Sequence, residues 1–175
     1  MLGRVIDAVL LNGTVGAGKT TTATALSDLL AQRGVVHAVI DVDQIRLLRP
    51  PPIGDPFQHA VAVDNVRDLA ANYRAAGATR LILSGVVEAA PDLDEVRAAL
   101  HGHALCVRLT VDPGAAASRL HRRHADDPDA LDWHLERSPR LATILHRAGI
   151  DDVVIDTTGR TPAEVAAVVA DAAAW

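Results

Sequence analysis

The sequence is poor in cysteine and in aromatic residues: it has one cysteine, Cys106, and only four aromatic side chains among 175 residues. A single cysteine cannot form a disulfide within the chain, and it cannot build a thiolate zinc cluster. A disulfide within the chain and a zinc cluster held by thiolates are therefore excluded. A reducing compartment, the cytoplasm, is expected. Because aromatic side chains are so few, the core has to be built from Val, Leu, Ile and Ala.

The sequence also lacks a membrane span and an excess of positive charge. No segment approaches the roughly 20 apolar residues that a membrane-spanning helix needs. The formal charge is −5 at pH 7, which does not favour a generic binder of nucleic acid or of anionic membranes. Neither partner is expected, so a bound anion has to be held by a local device. The eight histidines show no four-ligand spacing typical of structural zinc.

Short apolar runs alternate with amphipathic stretches along the chain. The predicted strands are 5–11, 35–40, 80–83, 104–111 and 153–155. The predicted helices are 18–32, 55–76, 92–100, 113–124, 130–137, 139–147 and one that begins after Thr161. Continuous apolar strands are typical of a parallel sheet covered on both faces by helices. The pattern predicts one α/β domain over residues 1–175, with Ser138 and Pro139 as N-cap and first residue of a separate helix.

The segment between the first strand and the first helix is rich in glycine. It reads Gly13-Thr14-Val15-Gly16-Ala17-Gly18-Lys19-Thr20 and matches the pattern G-x-x-x-x-G-K-[ST]. Glycines let the backbone amides turn toward a phosphate, and the following helix adds its N-terminal amides and the positive end of its dipole. Lys19 is expected to reach the β- and γ-phosphates, and the Thr20 hydroxyl to ligate magnesium. The pattern predicts a site for ATP·Mg, or a close relative, extending to Thr21.

Several classes of P-loop protein do not fit this sequence. A GTPase normally shows an N-K-x-D signature, which is missing, and a transporter ATPase carries L-S-G-G-Q, which Leu83-Ser84-Gly85-Val86-Val87 does not match. A ring-forming AAA ATPase usually needs a further helical domain, for which 175 residues leave no room. Small kinases for metabolites fit the size.

Four features in order along the chain carry a resemblance to a known group of proteins. They are the P-loop, Asp41-Val42-Asp43 after the second strand, the arginine-rich helix around Arg119 to Arg123, and Ile155-Asp156-Thr157 after the last strand. On these features the chain resembles the small P-loop kinases with an Asp-x-Asp motif, such as adenylylsulfate kinase, gluconate kinase and chloramphenicol phosphotransferase. The resemblance implies a three-layer fold, a five-stranded parallel sheet in the order 2-3-1-4-5, and a helical lid over about 119–140.

Asp41 and Asp43 follow the second strand, at the sheet edge where α/β proteins bind ligands. Two residues apart in an extended segment, they point the same way. The resemblance implies that Asp41 takes the proton of an attacking hydroxyl and lies near magnesium, with Asp43 as its partner in binding the acceptor. The alternative for Asp43 is a helix N-cap. Arg46 is a candidate to meet an anionic group of the acceptor, and a solvated helix face is its alternative.

Arg119 and Arg123 are four residues apart and share a helix face, with Arg122 beside them. In the related kinases this region closes over ATP, where arginine neutralises charge on the transferring phosphoryl group. Both residues are therefore predicted to be catalytic, and Arg119 also to contact the nucleotide. The alternative is a surface helix balanced by nearby aspartates. Arg137 and Arg140 are candidates to enter from the far side of the lid.

Other positions carry weaker expectations. The loop at Thr157 is expected to pass beside the adenine ring and to contact it mostly through the backbone. Ser84 stands where related kinases often have an acidic residue, and this departure leaves that role to Asp41 or Asp43, with Glu88 as a further candidate. Gly85 is expected to let the acceptor approach the backbone or to shape a turn. Trp133 fits helix packing better than an aromatic wall for the acceptor.

The predicted activity is ATP-dependent transfer of the γ-phosphate to a hydroxyl of a small molecule. A nucleotide or nucleoside, a sugar acid and an antibiotic-like compound all remain open as acceptors, and residues 50–58 are expected to help form their pocket. The alternative from another class is a P-loop switch or slow ATPase that acts through a protein partner. Monomer and homodimer are both compatible with the sequence.

Overall fold

The computed structural model describes residues 5–175, in which five parallel strands form one sheet in the order β2-β3-β1-β4-β5. The strands are β1 Ala8–Gly13, β2 His37–Asp41, β3 Arg80–Ser84, β4 Ala104–Thr110 and β5 Val153–Asp156. The helices are α1 Lys19–Gln32, α2 Val42–Ile45, α3 His59–Ala75, α4 Ala90–Leu100, α5 Pro113–Arg123, α6 Pro128–Ala148 and α7 Pro162–Ala173. The predicted strand order and the three-layer α/β fold are confirmed.

The three central strands β3, β1 and β4 bury both of their faces, as their continuous apolar sequences predict, whereas the edge strands β2 and β5 leave Val39 and Val154 exposed. In β1, Leu10 packs with α3 and α4 on one side of the sheet, and Leu11 packs with α1 and α7 on the other. The core is aliphatic throughout, and Cys106 of β4 is one of its small residues. Burial raises the pKa of the Cys106 thiol to about 12, so it stays protonated and unreactive. No helix among residues 5–175 is long and apolar enough to span a membrane.

Two local predictions are wrong. The first strand begins at Ala8 rather than Val5, whose side chain is exposed. The sequence also favours Gly102 as the glycine that ends α4, but the helix ends on His101, which adopts the left-handed conformation at φ 49°. Gly102 is needed for a different reason, because a Cβ there would lie 2.3 Å from Oδ2 of Asp7.

The largest correction concerns α6, which is one helix of 21 residues rather than two helices divided at Ser138-Pro139. Proline inside a helix removes one backbone hydrogen bond and usually kinks the helix. Here Ser138 is buried and its side chain bonds outside the helix, to the loop after β1. The tertiary contact therefore overrides the local signal for a new helix start.

All five strands point their carboxyl ends toward one edge of the sheet, where ligands bind in this class of fold. This edge carries the loop after β1, the Asp41 end of β2 and the Ser84 end of β3. The helices α5 and α6 pack against each other beside it. The fold thus brings the predicted residues to one side of the molecule.

Candidate active site

The loop between β1 and α1 has the backbone that its glycines allow. Gly16 and Gly18 have φ angles of 82° and 94°. A Cβ on Gly13 would lie 2.5 Å from the carbonyl oxygen of Leu109 on β4, so only glycine fits there. Gly18 precedes α1 without a side-chain cap, which leaves the first amides of the helix free to bind an anion. The backbone therefore fits a phosphate.

Lys19 folds back onto this loop. Its Nζ donates to the carbonyl oxygens of Gly13 at 2.8 Å and Thr14 at 3.1 Å. Burial lowers the pKa of Lys19 from 10.5 to about 8, and the carboxylates of Asp43 and Asp41 oppose that shift. An ammonium so weakly stabilised by its surroundings is suited to an incoming phosphate, which would supply the missing negative charge.

Thr20 and Asp41 come together at the edge between α1 and β2. The Thr20 hydroxyl lies 3.4 Å from Oδ2 of Asp41, and Oδ1 of Asp41 accepts from the amide of Asp43 at 3.0 Å as the N-cap of α2. The alternative role for Asp43, that of helix N-cap, is thus filled by Asp41 instead. In the sheet Asp41 lies directly beside Ser84, so β2 supplies the carboxylate that β3 lacks. A hydroxyl and a carboxylate are oxygen ligands of the kind magnesium prefers.

Asn12 is a residue of this site that sequence reasoning missed. It is fully buried at the end of β1. Its Oδ1 accepts from the amides of Gly13 at 2.9 Å and Val87 at 3.2 Å, and its Nδ2 donates to the Val87 carbonyl at 3.0 Å. Asn12 therefore fixes the start of the phosphate loop to the segment after β3. A polar residue in an otherwise apolar strand was the one available signal.

Arg119 joins the phosphate loop to the segment after β5. Its Nη1 donates to the Gly16 carbonyl at 3.0 Å and to the Thr157 hydroxyl at 3.1 Å, and its Nη2 donates to the Thr157 carbonyl at 3.0 Å. The Thr157 side chain is buried, with its Oγ1 3.1 Å from the Ala17 carbonyl. The Thr157 side chain thus has a structural role that the sequence does not predict, and its contact with the adenine ring stays a prediction.

The helix α6 is attached directly to the phosphate loop. The Thr14 hydroxyl donates to the Ser138 carbonyl at 2.7 Å, and the Ser138 hydroxyl donates to the Val15 carbonyl at 3.0 Å. The half of α6 before Ser138 lines the open side of the site through Trp133, His134 and Arg137. Ser138 is thus the point that ties the predicted lid segment to the loop below it.

A cleft of about 1480 Å³ runs along this edge of the sheet. One half is the nucleotide half, lined by Val15 to Thr22, Arg119, Arg122, Arg123, Thr157, Arg160, Pro162 and Val165. The other half is the acceptor half. It is lined by Asp41, Asp43, Gln44, Arg46, Leu47, Arg49, Gly54, Asp55, Pro56, Phe57 and His59 of the β2–α3 segment, by Val86, Glu88 and Asp92, and by Trp133, His134, Arg137 and Leu141 of α6. Of the predicted lid arginines, Arg119 is fixed, while Arg122 and Arg123 are exposed.

Five side chains form a continuous row in the acceptor half, which we call the acceptor wall: Asp43, Arg46, Phe57, Arg137 and Glu88. Arg46 pairs with Asp43 and donates to the Phe57 carbonyl at 3.3 Å. Arg137 pairs with Glu88, and its guanidinium carbon lies 5.6 Å from the centroid of the Phe57 ring. Both arginines are therefore already engaged by carboxylates.

Other predicted residues fall outside the acceptor wall. Gly85 is buried and does not line the cleft; a Cβ there would lie 2.9 Å from Cβ of Val42, so packing of α2 explains the glycine. Arg140 pairs with Glu136 at 2.7 Å and does not line the cleft. Trp133 does line it and is 54% exposed, which contradicts the expected packing role.

Two histidines meet beside the cleft in a way that sequence spacing did not predict. The rings of His124 and His134 lie 4.6 Å apart, and burial lowers the pKa of His134. Both rings are thus held close without forming a metal site of three or more ligands, and none occurs elsewhere in the described chain.

Comparison with solved structures gives close matches in fold. A gluconokinase from Sinorhizobium meliloti 1021 is 18% identical, with a TM-score of 0.65 over 98% of this chain and 93% of that chain. A tunicamycin resistance protein from Deinococcus radiodurans is 20% identical, with a TM-score of 0.62 over 95% of each chain. The adenylylsulfate (APS) kinase CysC from Mycobacterium tuberculosis, solved with AMPPNP and APS, is 20% identical, with a TM-score of 0.56 over 96% and 97%.

Comparison by sequence gives a family. No curated protein sequence matches the chain, but the profile of a family described as AAA domain matches residues 9–138. The match covers most of β1 through the first half of α6, and thus the P-loop core. The chain belongs to the AAA domain family, and its fold is that of the small P-loop kinases.

Proposed function

We propose that the protein transfers the γ-phosphate of ATP to a hydroxyl group of a small molecule. The observation that carries the proposal is the continuity of the cleft. A phosphate loop with Lys19 opens directly into a second, separately lined half beside Asp41. A nucleotide switch or slow ATPase needs only the first half.

The nucleotide half fits ATP and magnesium. Amides of the loop and the start of α1 would hold the phosphates, and Lys19 would leave its carbonyl partners to join them. Thr20 and Oδ2 of Asp41 would hold magnesium, which supplies charge neutralisation for the phosphates when bound. Arg123 is close enough to depress the pKa of Lys19, so its charge also acts on this region. We assign it to the transferring phosphoryl group.

The acceptor half would place the hydroxyl next to Asp41. In the proposed reaction the hydroxyl oxygen forms a bond to the γ-phosphorus, the bond from that phosphorus to the β-γ bridging oxygen breaks, and ADP leaves. The hydroxyl proton passes to a carboxylate, for which Asp41 is the predicted acceptor. Closure of the first half of α6 over the cleft would exclude water and so favour transfer over hydrolysis.

The test is release of ADP from ATP·Mg by the purified protein against a panel of nucleosides, nucleotides, sugar acids and neutral hydroxylated antibiotics. We expect one acceptor class to accelerate release at least tenfold, and Lys19→Ala to remove the acceleration. Asp41→Asn separates its two roles: loss of rate with an unchanged magnesium requirement supports the base, and a raised requirement supports metal binding. Release that no acceptor changes would instead favour the switch or slow ATPase.

A further inference from the structure

The charged residues that line the acceptor half indicate which charge its acceptor can carry. Five carboxylates line this half, at Asp41, Asp43, Asp55, Glu88 and Asp92, against three guanidinium groups, at Arg46, Arg49 and Arg137. Among residues 5–175, Arg49 is the one of these three without an ion pair. The acceptor half is therefore negative in sum, unlike a site built to attract a carboxylate or a phosphate.

The two arginines of the acceptor wall are not free to receive an anion. The side chains of Arg46 and Arg137 are only 23% and 22% exposed, and each is paired with a carboxylate. An acceptor carboxylate bound to either would have to displace Asp43 or Glu88, or else lie beside it as a like charge. Both arrangements cost free energy. Packing of Arg137 over Phe57 further holds the pair in place.

The same half exposes aromatic surface. Phe57 is 56% exposed and Trp133 is 54% exposed, and both line the cleft. They are two of only four aromatic residues in the chain. Trp133 lies one helical turn before Arg137, on the same face of α6. Exposed aromatic side chains in a cleft are suited to packing against a planar or apolar part of a ligand.

We infer that the acceptor is an uncharged or cationic hydroxyl compound that carries a planar or apolar group, and not a carboxylate or phosphate. This inference rests on the proposed function and narrows it. It removes sugar acids and nucleotides from the predicted acceptors and keeps nucleoside-like and antibiotic-like compounds. It also assigns Arg46 and Arg137 to shaping the wall rather than to binding an anionic group.

The experiment compares acceptors that differ only in charge. ADP release is measured with the methyl ester of phenyl β-glucuronide and phenyl β-glucuronide itself, with a nucleoside 5′-carboxamide and the 5′-carboxylate, and with methyl shikimate and shikimate, so that both members of each pair carry the same hydroxyl groups. We expect kcat/KM for the neutral member to exceed that for the anionic member at least tenfold. Preference for the anionic member would overturn the inference and leave the proposed kinase standing. Release independent of every acceptor would remove the kinase, and the inference with it.

Variants of the acceptor wall test the cause of the preference. In Glu88→Gln the guanidinium of Arg137 loses its partner, so the ratio of neutral to anionic kcat/KM should fall at least tenfold. Asp43→Asn should act in the same direction through Arg46. Glu95→Gln is the matched control, because Glu95 is exposed, contacts His59 instead and lies outside the wall. Equal ratios in wild type, Glu88→Gln and Asp43→Asn would overturn the inference.

Discussion

At the scale of single residues, Lys19 shows a conflict between folding and binding. Its ammonium is held by two carbonyl oxygens in a place that burial makes unfavourable for charge. The unfolded chain therefore binds this proton more tightly than the folded chain does. The resulting penalty is complete below pH 8 and disappears as the pH rises past 10.5, the ordinary pKa of lysine.

Replacing the charge should stabilise the free protein. We expect Lys19→Met to raise the free energy of unfolding by about 1–3 kcal/mol at pH 7, since a lowering of pKa from 10.5 to about 8 corresponds to about 3 kcal/mol at most. Binding of ATP should be lost in the same variant. Urea unfolding at pH 7 and at pH 10.5 measures the effect, and the gain should shrink at the higher pH. A gain of the same size at both pH values would contradict this explanation.

Asn12 makes the opposite contribution, because its side chain is needed for stability. Asn12→Ala would leave the Val87 amide, the Val87 carbonyl and the Gly13 amide without their side-chain partner in a buried position. We expect the free energy of unfolding to fall by about 2–4 kcal/mol. Asn72→Ala, at an exposed position of α3, is the matched control and should change little. A loss below about 1 kcal/mol for Asn12→Ala would show that water replaces the side chain.

At the scale of elements, α6 combines two parts of the site in one helix. Its first half lines the cleft, and Ser138 near its middle is bonded to the phosphate loop. Pro139 follows at once and removes one backbone bond of the helix. We therefore expect any movement of the segment before Ser138 to pivot about a point that stays attached to the loop.

Loss of the Ser138 hydroxyl should loosen this attachment. We expect Ser138→Ala to increase amide hydrogen exchange in residues 128–138 at least threefold, while the rest of the sheet keeps its protection. Thr143→Ala is the matched control, because Thr143 bonds only within α6, to the Pro139 carbonyl at 3.1 Å. An unchanged exchange rate in Ser138→Ala would show that the bond from Thr14 to the Ser138 carbonyl is sufficient alone.

The elements also show where sequence reasoning succeeds and where it stops. The apolar runs predict the strands, and the resemblance predicts their order. The motifs predict the placement of Lys19, Thr20 and Asp41, since that placement depends on local sequence and on topology. The capping box that Thr161 and Glu164 form at the start of α7 is likewise written in the local sequence. Contacts between distant segments leave no such pattern, so the single helix through Pro139 and the bonds of Asn12 were missed.

At the scale of the whole molecule, one hydroxyl connects parts of the chain that are far apart in sequence. Oγ1 of Thr157 lies 3.1 Å from the carbonyl oxygens of Ala17 and Thr110 and accepts from Nη1 of Arg119 at 3.1 Å. The phosphate loop, β4, α5 and the segment after β5 meet there. The nucleotide half of the cleft thus depends on a contact between the first and last thirds of the chain.

Removing this hydroxyl without changing the side-chain shape should affect both stability and binding. We expect Thr157→Val to lower the free energy of unfolding by about 1–3 kcal/mol, because Arg119 loses an acceptor in a buried place. Affinity for ATP should fall in parallel, as measured by isothermal titration. Thr24→Val, on the exposed face of α1, is the matched control. Weaker ATP binding with unchanged stability would limit Thr157 to a role in the site.

The P-loop residue Lys19 is also the only lysine in the chain, since the other 16 basic residues are arginines. Its pKa of about 8 means that a substantial part of the amine is unprotonated, and hence nucleophilic, in mildly alkaline solution. An acylating reagent should therefore label one side chain of the whole protein, with the terminal amine as its only competitor. We expect bound nucleotide to protect this single amine from acylation, so that mass spectrometry of the labelled protein would measure nucleotide occupancy.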